Sequence, residues 1–228
     1  MLELFRLEST ALKSYPFSWA EIANLYSAKD AAALAETFPH DHFKTVSGYG
    51  GEKNYDYEAR ALVEMGTQTI AFAESLSDVW LKLARDLGSA PYREAMSRLT
   101  GIDLRSVPME VNVFHYGLGA SLGAHPDLPD KLVTHILYFN ESWNRDDGGC
   151  LQILSSNDPT AVVAEIEPLV GNSAVLVRSA NSWHAVSQVV GNCNASRRSL
   201  TATFYRPGSV SSMWPQGETP ALHGYPRA

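Results

Sequence analysis

The chain of 228 residues has the length of one domain with a full hydrophobic core. Hydrophobic residues make up 45% and charged residues 19%, which excludes a disordered polypeptide. A formal net charge of -7 without any Lys/Arg block argues against a nucleic-acid partner. Cys150 and Cys193, in Gly-Gly-Cys and Asn-Cys-Asn settings, form neither a disulfide framework nor a zinc motif. The charged N-terminus lacks the apolar stretch of a signal peptide, and no window approaches the ~20 apolar residues of a membrane span. The expectation is a soluble, cytoplasmic protein.

In chain order, the first third reads mainly as helix. Ser27 is a candidate N-cap for the alanine-rich run Lys29 to Phe38, which Pro39 stops. From about Tyr57 to Leu87 apolar residues recur at helical spacing, with Ser77 as a restart, and Ser89-Ala90-Pro91 opens a further helix to about Leu99. After Pro108 the pattern changes to short β-rich runs divided by Gly, Asn, Asp and Pro: Met109–Tyr116, Leu132–Phe139, Leu151–Leu154, Ala161–Ile166, Ala174–Val177, Ala185–Val190 and Arg197–Tyr205. Regularly spaced short strands predict a sandwich or barrel. Helices that precede the strands, rather than alternate with them, argue against a parallel sheet. The expected organisation is one domain over 1–228: a helical leader and support at 1–107, a β core at 108–206 and a Pro/Gly/Ser-rich tail at 207–228.

The segment GAHPDLPDKLVTHILYFN brings the first chemistry. His125 and Asp127 are two apart, so on extended chain they point to one side, with Pro126 turned away. His184, at the start of a later apolar run, is the candidate third ligand. Two imidazoles and one carboxylate form the facial triad of non-haem iron(II) sites, which leaves positions open for other ligands. A lone His-x-Asp is common by chance; the combination and its order carry the reading.

The last run, RRSLTATFYRP, places Arg197, Ser199, Thr201 and Thr203 on one face and Arg198, Leu200, Ala202 and Phe204 on the other. A cation among hydroxyls suits a carboxylate if that face looks inward, because an unpaired buried charge is costly. A register slip of one would make Arg198 the anchor, and a solvated edge strand would make neither. Tyr138, which shares a face with Thr134 and Ile136, needs a polar partner inside a barrel.

Together these residues resemble the iron(II)/2-oxoglutarate-dependent oxygenase superfamily, on its prolyl-hydroxylase-like branch. The resemblance spans about 108–206: FHYGLGASLGAHPD, LVTHILYFNESW with DDGGCLQIL, IEPLVGNSAVLVRSANSWHAV and RRSLTATFY follow one another as that branch's segments do. It implies a double-stranded β-helix, a jelly-roll core flanked by helices. It implies His125, Asp127 and His184 as iron(II) ligands, with Arg197, Tyr138, Thr201, Ser199 and Tyr116 around 2-oxoglutarate. It further implies a dioxygenase that uses O2 to hydroxylate an aliphatic C–H, with succinate and CO2 as co-products. Halogenases of the superfamily lack the carboxylate ligand, and Asp127 is present here, which favours hydroxylation.

A short chain without an added peptide-binding module suggests a small-molecule substrate, an amino acid or a biosynthetic intermediate. The alternatives are a peptidyl (prolyl-type) hydroxylase, a non-catalytic jelly-roll module that binds a ligand or metal, and a zinc hydrolase with Glu110 or Asp130 as base. The polar, aromatic stretch Ser47 to Arg60 reads as a lid or as a plain connector, and Trp143, Asn144 and Arg178 are further candidates for substrate contact.

Overall fold

A computed structural model of the protein describes residues 1–48, 55–190 and 196–225. Four α-helices, α1 (Leu4–Glu8), α2 (Ala28–Glu36), α3 (Asp78–Gly88) and α4 (Ala90–Thr100), accompany strands β1 (Trp19–Ile22), β2 (Lys44–Gly48), β3 (Tyr55–Val63), β4 (Met109–Tyr116), β5 (Ser121–His125), β6 (Lys131–Tyr138), β7 (Leu151–Leu154), β8 (Val162–Ile166), β9 (Ser173–Val177), β10 (His184–Val186) and β11 (Arg197–Tyr205). The strands form one sheet in the order β1-β9-β6-β11-β4-β3-β5-β10-β7-β8, with β2 beside β3, and each named pair is antiparallel. No helix is long and apolar enough to cross a membrane among the described residues.

The sheet curls so that its two halves face each other. Residues of β7 and β8 (Leu151, Ile153, Ile166) pack against Trp19 of β1, Ile136 and Tyr138 of β6 and Leu176 of β9. On the opposite side, Val111, Val113, Val133, Leu137, Leu200, Ala202 and Phe204 pack against Leu34, Trp80, Leu83, Leu87, Tyr92 and Met96 of the helices. The fold is therefore mainly antiparallel β, a jelly-roll-like curled sheet with helices on one face, as the run of short strands predicts.

The alternation of β11 decides its orientation. Leu200, Ala202 and Phe204 are fully buried against the helical layer, so Arg197, Ser199, Thr201 and Thr203 must face the interior. A one-residue slip would move Leu200 and Phe204 off that layer, at about 1.5–3 kcal/mol for each large apolar side chain. The caps behave as the sequence suggests. Ser27 accepts from Asp30 N, Ser89 accepts from Tyr92 N, and Gly101 ends α4 at φ 71°.

One expectation is overturned. The helical spacing from Tyr57 does not produce a helix there: Tyr55–Val63 is strand β3, and helix begins only at Asp78. Pairing with β2 and β4 overrides the propensity of the Ala-rich sequence, and because the strand's later half is buried on both faces it lacks the alternation that would reveal it. β1 and β2 likewise come from the supposed helical leader. Within the stretch from Ser47 to Arg60, the flanks are hairpin strands rather than a connector, and residues 49–54 lie outside the described part. Cys193 also lies outside it.

Candidate active site

His125 ends β5, where Pro126 stops strand pairing, and Asp127 follows on the chain that leads into β6. His184 opens β10 and pairs directly with His125 across the ladder, so two residues far apart in sequence meet with ring centroids 4.4 Å apart. Ligand atoms of His125, Asp127 and His184 all lie within 4.8 Å of one another, and all three residues are buried. The Nδ1 atoms sit 2.8 Å from Gly123 O and 2.9 Å from Ser182 O. Each carbonyl fixes a tautomer with Nδ1 protonated, which assigns Nε2 to a metal.

The Asp127 carboxylate is held at both oxygens. Lys131 Nζ donates to Oδ1 at 2.6 Å and Thr134 Oγ1 donates to Oδ2 at 2.8 Å. Burial alone would raise its pKa. The Lys131 ammonium opposes this first, followed by His184 and His125, and the group is held well below the usual carboxylate range. The anionic ligand is thus present at neutral pH before any metal arrives. Arg178 Nε reaches the backbone carbonyl of Asp127 at 3.4 Å, so this residue steadies the ligand loop rather than standing clear for an acidic substrate.

A second cluster lies where β11 runs between β4 and β6. Arg197 is 2% exposed, donates from Nε to Gly149 O at 2.7 Å and from Nη1 to Ser199 Oγ at 2.8 Å, and makes no ion pair with a carboxylate among the described residues. Its guanidinium lies 4.8 Å from the Tyr116 ring centroid and 5.3 Å from that of Tyr138. The Tyr138 hydroxyl is fully buried, and beyond the neighbouring Arg197 guanidinium it has no hydrogen-bond partner among the described residues. Burial raises the phenol's pKa, most of all at Tyr138, and pushes Tyr116 up to about 12, so both stay neutral donors. A buried cation without a counter-ion among the described residues, and a buried phenol hydroxyl beside it, make a cradle for a carboxylate.

Arg198, the alternative anchor, lies on the other face, with its guanidinium over the Phe38 ring. Thr201 stands opposite Asn112 and Ile136, on the interior face but farther along the strand from Arg197. Trp143 Nε1 is bound to Gly148 O, and Asn144 caps a short turn through Asp146 N. Glu110 is engaged with Asn112, Ser211 and Tyr205, which removes it as a free base for metal hydrolysis.

Sequence reasoning missed the supports. Lys131, four residues after Asp127, and Thr134, on the face of Tyr138, carried a positional hint; the Gly149 carbonyl that orients Arg197 carried none. The Gly-Gly turn has a steric reason. Gly148 has φ 71°, and a Cβ there would sit 2.0 Å from Gln188 O.

The set suits iron(II), which takes two imidazoles and a carboxylate on one side and keeps its other positions open. Comparison with known proteins agrees. Residues 111–205 match the model of the 2OG-Fe(II) oxygenase superfamily. A stretch of 127 residues is 30% identical to prolyl 3-hydroxylase OGFOD1 of Mus musculus, covering 54% of this chain and 23% of that protein. The chain thus spans about a quarter of the length of the curated relatives it matches. In structure it is similar to a Pseudomonas putida prolyl-4-hydroxylase, with a TM-score of 0.58, 20% identity and coverage of 90% of this chain and 97% of the other. It is also similar to a Trichoplax adhaerens prolyl hydroxylase in complex with a peptide fragment of hypoxia inducible factor, with a TM-score of 0.55, 16% identity and coverage of 90% and 87%. With triad, cradle and curled sheet in place, residues 111–205 carry the core of the 2OG-Fe(II) oxygenase superfamily, and the chain is similar to prolyl hydroxylases in sequence and fold.

Proposed function

We propose that the protein is an iron(II)- and 2-oxoglutarate-dependent dioxygenase that hydroxylates a prolyl residue of a polypeptide. The observation that carries the oxygenase reading is the buried Arg197, without an ion pair among the described residues, in the same curled sheet as the buried His125–Asp127–His184 cluster. A metal site alone serves many purposes; a metal site with a buried guanidinium and tyrosines suited to a carboxylate serves a chelating dicarboxylate. The peptidyl substrate is supported by the relatives, which bear the names of prolyl hydroxylases. The small molecule expected from the sequence has no comparable support and becomes the second reading.

Iron(II), when bound with 2-oxoglutarate and O2, supplies the oxidising chemistry. The protein's part is positioning. His125, Asp127 and His184 would hold the ion. Gly123 O and Ser182 O keep the imidazoles turned inward, while Lys131 and Thr134 keep the carboxylate ionised and fixed. Arg197 and Tyr138 would grip the distal carboxylate of the co-substrate, while Ser199 orients the guanidinium and Tyr116 lies against it. Thr201 and Asn112 line the stretch between this anchor and Asp127. The buried setting excludes water from the reacting atoms.

Anaerobic addition of iron(II) and 2-oxoglutarate should give a weak visible charge-transfer band that His184→Ala abolishes; no band with metal-loaded wild type would sink the oxygenase reading. Succinate release stimulated by prolyl peptides, but not by a panel of amino acids and metabolites, separates the two substrate readings. A passive binding module would release no succinate with either.

A further inference from the structure

The tail after β11 does not leave the molecule. Ser211 Oγ donates to Glu110 Oε1, and Trp214 N donates to Ser211 Oγ at 2.8 Å. Trp214 Nε1 donates to Asn112 Oδ1 at 2.7 Å, and Asn112 Nδ2 donates to Glu110 Oε2 at 3.0 Å. The four residues close a ring of hydrogen bonds that ties two interior positions of β4 to two positions of the tail. From the other side, Lys44 Nζ donates to Met213 O and lies 4.3 Å from the Trp214 ring centroid.

The registers locate this ring relative to the chemistry. Across β4 and β11, Tyr116 faces Arg197, Phe114 faces Ser199, Asn112 faces Thr201 and Glu110 faces Thr203. Across β11 and β6, Thr203 faces Thr134, the residue that holds Asp127. Asn112 therefore lies between the carboxylate anchor and the level of the Asp127 clasp. Trp214, bound to it, also packs against the cluster of Phe114, Tyr116, Val186 and Val189. Glu110 and Asn112 are almost fully buried on a face otherwise lined by hydroxyls and aromatics. Without the tail Glu110 Oε1 and Asn112 Oδ1 would lose their donors, while Glu110 Oε2 keeps Asn112 and Tyr205. The interior of the barrel is thus built to receive Ser211–Trp214.

We propose that Ser211–Trp214 is a constitutive wall of the substrate chamber, and that the indole of Trp214 selects a substrate with an apolar ring at the reacting position. The selection rests on the prolyl reading above. An indole pinned by its N–H and half-buried offers a rigid face to an aliphatic ring, and it loses little conformational freedom when that ring docks.

Two measurements on the manganese(II)- and 2-oxoglutarate-loaded protein test this. Hydrogen exchange of the segment 209–214 reads the wall without any substrate. It should be protected in wild type and exchange at least tenfold faster in Asn112→Leu, with Ser211→Ala as the second variant should Asn112→Leu fail to fold. Exchange in wild type at the rate of an unstructured peptide overturns the wall. Equilibrium binding of a library of decapeptides with one central proline, against the same library with alanine, reads the selection. Trp214→Ala should weaken the best prolyl peptide at least tenfold and its alanyl counterpart by less than threefold, while Trp214→Phe stays within threefold of wild type for both. Equal weakening of both peptides overturns the ring selection. If wild type prefers no prolyl peptide, the prolyl reading and the selection built on it fall together, and hydrogen exchange still decides the wall.

Discussion

The two halves of the site differ in how far the protein completes them by itself. At the metal cluster every support is in place: both Asp127 oxygens accept hydrogen bonds, and both imidazoles are oriented by carbonyls. At the anchor the protein stops short, with Arg197 lacking an ionic partner and the Tyr138 hydroxyl lacking any partner beyond that guanidinium among the described residues. The first half is preorganised, so a metal meets ligands already turned toward it. The second is a desolvated cation held rigid by Gly149 and Ser199, and only an incoming carboxylate relieves it. Stability and affinity therefore trade places: supports of the metal half should matter to both, whereas the anchor's unsatisfied groups should matter to affinity alone.

The largest effect is expected on removing a metal ligand. His184→Ala should abolish 2-oxoglutarate turnover and weaken metal binding by more than the ~10–100-fold typical of a supporting residue, read by equilibrium dialysis with iron(II) under argon. Next comes the anchor. Arg197→Leu should raise the KM for 2-oxoglutarate by at least ~30-fold, from the ~2–5 kcal/mol lost when one partner of a buried charge pair is removed, while Arg198→Leu changes it less than threefold. Equal effects of the two substitutions would mean that β11 is not oriented as described. Thr134→Val then probes a support of the metal half: a fall in metal affinity of about tenfold is expected, together with a lower thermal midpoint, since Asp127 loses a buried hydrogen bond.

The smallest change sharpens the contrast most. Tyr138→Phe removes a buried hydroxyl that donates to no group among the described residues, so the thermal midpoint should stay equal or rise. The same substitution should weaken 2-oxoglutarate by about tenfold, equivalent to ~1.4 kcal/mol, as measured by titration of the metal-loaded protein. A destabilised apoprotein with unchanged co-substrate affinity would show that the hydroxyl serves the core instead.

Much of this was legible in the residues. The alternation in Arg197–Tyr205 separates a polar from an apolar face without any structure, and strands β4, β7 and β11 end where the sequence says they do. His125, Asp127 and His184 were readable as a set because metal ligands are few in kind and fixed in order. The strand β3 was hidden because Ala59 to Val63 is buried on both faces, Arg60 included, and such a run lacks the alternation that separates a strand from a buried helix. The tail wall was hidden because Ser211 and Trp214 meet Glu110 and Asn112 across about a hundred residues, and no local pattern encodes such a pairing.

What the sequence alone determined is therefore local: periodicity, caps and the kinds of atoms offered as ligands, all set by neighbours within a few residues. Which arginine turns inward, which carbonyl fixes each imidazole and what covers the chamber were decided by the tertiary structure. These depend on strand register, and register is settled only when Leu200, Ala202 and Phe204 find the helical layer and leave the other face to enclose the site.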